Sequence, residues 1–93
     1  MVIGSVVYTI SIDQAFSLKD KRRVLESLKT RLRNKFNIAV SEVDDHDTWN
    51  RGVLAVVTVS PDRKRVEQVL SKVSLFMEEY GDAVLLEIEQ EIL

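Results

Sequence analysis

The sequence predicts an α+β sandwich with elements in the order strand-helix-strand-strand-helix-strand. Three observations carry this reading. Four short segments are rich in β-branched residues and alternate or run apolar over strand lengths. Two longer segments repeat apolar residues at helical spacing. Serine, aspartate, proline and glycine punctuate the junctions between them. The 93 residues suffice for one core, so a single domain over residues 1–93 is expected.

Residues 2–12 read as strand β1, with Val2, Val6, Tyr8, Ile10 and Ile12 on the more apolar face and therefore toward the core. Ser17, with Asp20 three residues on, opens a helix α1 over 18–36, whose stripe is Leu18, Leu25, Leu28, Leu32 and Phe36. Asn37 is expected to end it in the left-handed conformation that asparagine tolerates. Residues 38–43 make a short β2, 44–50 a polar loop, and 52–59 a nearly all-apolar β3 that suits a central strand. Ser60-Pro61-Asp62 predicts the start of α2, with Ser60 as N-cap and Pro61 at the first helical position. Val66, Val69, Leu70, Val73, Phe76, Met77 and Tyr80 follow at helical spacing, and Gly81 is expected to close the helix. Residues 83–92 make β4, with Val84, Leu86, Ile88 and Ile92 on one face and Glu87, Glu89 and Glu91 on the other.

Two interlocked β-α-β halves with right-handed crossovers form a ferredoxin-like βαββαβ sandwich. Its four-stranded antiparallel sheet has the order 4-1-3-2, and both helices lie on one face. The helices leave the other face open. Thr58 makes the Leu54, Val56, Thr58 row of β3 the less apolar one, so that row is assigned to the open face, extended by Ile3 and Val7 of β1. An apolar patch there predicts a homodimer or a standing protein partner.

Charge is distributed unevenly. The net charge is -2, yet residues 19–35 hold eight basic residues against two acidic ones, and residues 78–91 hold six acidic residues and no basic one. Lys19, Arg22, Arg23, Lys29 and Arg33 spread over about 120° of α1 at 100° per residue, interrupted only by Glu26. A row of cations on a rigid helix suits nucleic-acid phosphates. Glu26 is also placed to pair with Arg22 and Lys29, which would leave a solvated helix face. Lys21 lies near the apolar stripe and is expected to snorkel over the core edge.

Several chemistries lack their residues. Without cysteine there is no disulfide, thiolate metal site or cysteine nucleophile, and a single histidine, His46, excludes a multi-histidine zinc site. Asp44, Asp45, His46 and Asp47, with Glu42 nearby, could hold a hard cation, but their spacing matches no calcium loop. They read as a solvated turn, and no metal or other cofactor is expected. The turn before α1, Asp13-Gln14-Ala15-Phe16, is acidic and glycine-free, unlike the phosphate cradle of an acylphosphatase-type enzyme. An enzyme is not expected. The sheet of an RNA-recognition domain would need aromatics on β1 and β3; β3 has none and Tyr8 shares the core face, so RNA contact would fall to α1. Trp49 beside Arg51 could anchor a partner, or Trp49 could pack over the end of the sheet.

Ser17-Leu18-Lys19-Asp20-Lys21-Arg22, then Phe36 through Asp44 followed by Asp47 and Trp49, then Val57-Thr58-Val59-Ser60, resemble three signatures of the YlxP-like family of small bacterial proteins, a domain of unknown function. The resemblance covers essentially the whole chain. It implies a ferredoxin-like fold and, because such proteins tend to be encoded among translation and ribosome-maturation genes, a role linked to RNA or the ribosome. It brings no catalytic residues. The expected protein is a cytoplasmic, non-enzymatic accessory factor that touches RNA or the ribosome through Lys19, Arg22, Arg23, Lys29 and Arg33. The alternative is a homodimeric interaction module that uses Ile3, Val7, Leu54 and Val56, with Trp49 and Arg51. No apolar run approaches the roughly 20 residues of a spanning helix, so no membrane partner is expected.

Overall fold

A computed structural model describes residues 1–93. The elements are β1 (Val2–Ser11), α1 (Leu18–Lys35), β2 (Ala39–Asp44), β3 (Arg51–Ser60), α2 (Arg63–Glu79) and β4 (Val84–Ile92). The sheet is fully antiparallel with the order β2-β3-β1-β4, which is 4-1-3-2 counted from the opposite edge. The long central pair β1–β3 runs in unbroken register from Val2 opposite Ser60 to Ser11 opposite Arg51.

The core lies between one sheet face and the two helices. Val6, Tyr8, Ile10 and Ile12 meet Leu25, Leu28 and Leu32 of α1 and Val66, Leu70, Val73 and Met77 of α2, all buried. Val69, Phe76 and Phe36 pack against this cluster from its margin and keep some exposure. The α1 stripe and the β1 face are thus as the periodicity predicts.

The face assignment of β3 is reversed. Register puts Leu54 opposite Tyr8 and Val56 opposite Val6, so both point into the core, where neither has any exposed surface. Thr58 lies on the same buried row because its Oγ1 donates to the Asn37 carbonyl at 3.0 Å. Its hydroxyl is satisfied internally, so its polarity does not mark the solvent face. The open face of β3 is the other row: Val53, Ala55, Val57 and Val59.

The helix ends also differ from expectation. Ser17 caps α1, accepting from the Asp20 amide at 3.1 Å, but the chain leaves the helix extended at Phe36 and Asn37 is not left-handed. Asp62, not Ser60, caps α2: its side chain accepts from the Lys64 amide, and Ser60 Oγ accepts from the Asp62 amide. A carboxylate at the cap can face the positive end of the helix dipole directly. Gly81 has no positive φ, and Tyr80 is the C-terminal cap. In β4 a register shift opposite Thr9 and Ile10 brings Leu85, not Leu86, against the core and leaves Val84 and Leu86 about half exposed, whereas Ile88 and Ile92 keep the expected row opposite Tyr8 and Gly4, Ile88 half exposed on this edge strand. Neither helix is long and apolar enough to cross a membrane.

Candidate functional site: a basic helix flank and an open sheet face

The outer flank of α1 carries a concentrated row of cations. Lys19, Arg22, Arg23 and Arg33 are exposed, and none has a carboxylate within ion-pair distance. Lys29 differs: its Nζ lies 2.7 Å from Glu26 Oε1. That hydrogen bond and the lysine charge hold the Glu26 carboxyl below its ordinary range, against a small opposing effect of desolvation, with Arg33 adding to the lowering. Glu26 therefore stays ionised and neutralises Lys29, and the free row has four cations. Arg22 is not paired with Glu26. Arg31 and Lys35 belong to the opposite side of the helix. Arg31 sits over the Tyr80 ring at 5.6 Å, and Lys35 over Phe36 and Phe76 at 5.8 and 5.3 Å.

Lys21 does more than skirt the core edge. It is 1% exposed, and its Nζ lies 2.9 Å from Glu42 Oε2 on β2 while donating to the Asp45 carbonyl. The ammonium thus fastens α1 to β2 and to the start of the β2–β3 loop. Asp45 adopts φ 58°, a left-handed turn that suits aspartate, and its carboxylate approaches Arg51 Nε at 3.4 Å. His46 Nε2 lies 3.2 Å from the Glu42 carbonyl. Of the acids at this loop, Glu42 of β2 pairs with Lys21 and Asp45 with Arg51, while Asp44 Oδ1 accepts from the Asp45 amide. No three of its acids and histidine converge on one point. Trp49 is 44% exposed and lies 6.5 Å from the ring of the largely exposed Phe16, so two solvent-facing aromatics sit together at one end of the sheet.

The open sheet face carries a second feature. Ile3 and Val7 of β1 lie beside Val57, Ala55 and Val59 of β3, and Val53 continues the row. Val57 is 40% and Val59 53% exposed. Glu87, Glu89 and Glu91 pair with Thr9, Val7 and Ser5, so they line the same face along β4. Ala39 and Ser41 of β2 border the other side. Of the residues expected to bind a partner, Ile3 and Val7 are on this face, whereas Leu54 and Val56 are buried beneath it. Arg51 is exposed at the end of β3, engaged with Asp45.

These features define a small α+β sandwich whose distinctive chemistry lies on two surfaces, a cationic helix flank and an acid-bordered apolar sheet. A family model described as "Protein of unknown function (DUF503)" matches residues 3–90, and the chain belongs to that family. It is similar to the protein described as "Uncharacterized protein YlxP" of Bacillus subtilis (strain 168), with 38% identity over 81 residues, covering 87% of this chain and 88% of the relative.

Proposed function

We propose that the protein is a non-enzymatic accessory factor that associates with RNA or the ribosome through the outer flank of α1. The observation that carries this reading is the unpaired state of Lys19, Arg22, Arg23 and Arg33 on one helix. Lys29, by contrast, is neutralised by Glu26 one turn away. Four unpaired cations on a helix anchored at both ends retain their charge for an anionic partner without reordering the backbone. Contacts from such a flank reach phosphates, so binding is weak and largely indifferent to base sequence. The test is co-sedimentation with ribosomes at low salt. The variant Arg22→Glu/Arg23→Glu/Arg33→Glu should lose association while keeping its melting temperature, because exposed charges contribute about 0–1 kcal/mol each to folding. Retained co-sedimentation of the triple variant would refute the proposal.

A second reading is favoured by the exposure of Val57 and Val59 beside Ile3 and Val7. A second copy of the chain covering this face would remove an apolar strip from water, and a homodimer follows. Sedimentation equilibrium at high micromolar concentration decides it: Val57→Glu should shift a dimer to monomer, whereas a wild-type monomer throughout removes the reading.

A further inference from the structure

Where the C-terminal end of α1 meets the end of β3 and the first turns of α2, the surface folds into a groove of about 410 Å³. Its walls differ in chemistry. Lys35 of α1 and Arg65 and Lys72 of α2 contribute three cations, and no carboxylate lines it. Phe36 and Val69, both partly exposed, supply an apolar wall. Neither Arg65 nor Lys72 is in an ion pair, and Lys35 rests over the Phe36 and Phe76 rings. The N-terminus of α2 does not account for the site: Asp62 already occupies it as the cap. The positive potential comes from side chains on two elements that converge over an apolar surface.

We propose that this groove binds a phosphate monoester carried on a flat or apolar body, of which a nucleoside monophosphate is the simplest example. The volume lies in the range of about 300–1,000 Å³ typical of small-molecule sites. A phosphate monoester carries about -1.5 to -2 charges at neutral pH, which three cations neutralise. Phe36 and Val69 pack on the core margin yet keep some exposure beside the cations, so a ligand with an apolar part would cover a surface that a dianion alone would leave in water. The groove is distinct from the α1 flank, and the proposal stands or falls independently of RNA association.

The experiment is an NMR titration of the ¹⁵N-labelled protein with adenosine 5′-monophosphate, adenosine and inorganic phosphate, followed at the amides of Asn37, Ser60 and Arg65. The monophosphate should shift these amides saturably and bind more tightly than either part. Arg65→Ala and Lys72→Ala should each weaken it by about tenfold or more, the worth of one charge-assisted hydrogen bond. Both residues are exposed, so the variants should keep the wild-type amide spectrum elsewhere. The Arg22→Glu/Arg23→Glu/Arg33→Glu variant should bind the monophosphate like wild type, which separates this site from the α1 flank. The proposal is overturned if inorganic phosphate binds as tightly as the monophosphate. It is equally overturned if the shifts map to Lys19–Arg23, or if Arg65→Ala and Lys72→Ala leave the affinity unchanged.

Discussion

Lys21 shows how one residue can join three elements. Its stem crosses the core margin, where its Cε would lie 3.6 Å from a Cβ at Gly52, and its ammonium ends on Glu42 and the Asp45 carbonyl. Lys21→Met would keep the stem but strand the Glu42 carboxylate. Because the Glu42 side chain keeps 18% exposure, the loss should fall toward the lower end of the roughly 3–5 kcal/mol for breaking a buried pair. Urea unfolding of Lys21→Met and of Lys21→Met/Glu42→Leu checks it; the double variant should recover part of the loss. Tyr8 makes a different prediction. Burial pushes its phenol pKa up, the hydrogen bond to Ser74 at 2.7 Å opposes this, and Glu78 adds to the rise. The folded state then holds the phenolic proton above pH 10, where the unfolded chain releases it. That stability is fully present below about pH 10 and is lost as pH rises toward the folded-state value. Tyr8→Phe should cost about 0.5–1.5 kcal/mol at pH 7 for the hydrogen bond and remove the tyrosine's share of the alkaline loss. Denaturant melts from pH 8 to 11 would show it; an unchanged alkaline slope in Tyr8→Phe would contradict it. The position of Lys21 beside the apolar stripe was legible from helical spacing. Its partner was not, because Glu42 is 21 residues away and the pairing exists only once β2 is laid against α1.

At the scale of elements, periodicity located all six, and the physical reasons for the differences are local. The β3 faces could not be ranked by composition, because both rows are largely apolar: Val53, Ala55, Val57 and Val59 on one, Leu54 and Val56 with Gly52 and Thr58 on the other. The row that looked more polar holds Thr58, whose hydroxyl is internally bonded, and Gly52, which faces Leu25 and Lys21 in the core. The cross-strand partners Tyr8 and Val6 settle the matter, and these depend on register. Gly4 reveals the close approach of β1 and α2: a Cβ there would lie 2.4 Å from Val66 Cγ1 and 2.8 Å from Leu70 Cδ1. Gly4→Ala should therefore overpack this contact and cost about 1–3 kcal/mol, visible as a lower urea midpoint with an unchanged slope. Leu28, fully buried beneath α1, should cost about 2–5 kcal/mol when cut to alanine. A loss below about 0.5 kcal/mol in the same unfolding measurement would contradict the placement of α1 over the sheet.

Across the whole molecule, charge and apolar surface are separated. The cationic row follows one helix, and the acidic row Glu87, Glu89 and Glu91 follows the edge strand of the open face. This polarity was legible in the sequence as two blocks of opposite sign. Which cations are free was not: Lys21 and Lys29 belong to the same block yet are neutralised by Glu42 and Glu26. The groove of Lys35, Arg65 and Lys72 was likewise hidden, since its residues come from separate segments that meet only through the α1–α2 packing. The central claim is that the free row on α1 contacts a phosphate backbone, and it makes a quantitative statement about salt. Four cations can engage three or four phosphates, so the logarithm of the affinity for single-stranded RNA should fall with the logarithm of salt at a slope of about -2 to -3. The direct measurement is fluorescence anisotropy of a labelled, unstructured RNA across a salt series with wild type and Arg22→Glu/Arg23→Glu/Arg33→Glu. A slope in that range for wild type, with binding abolished in the variant, is the predicted result; a slope near zero, or equal binding by the two proteins, would contradict it.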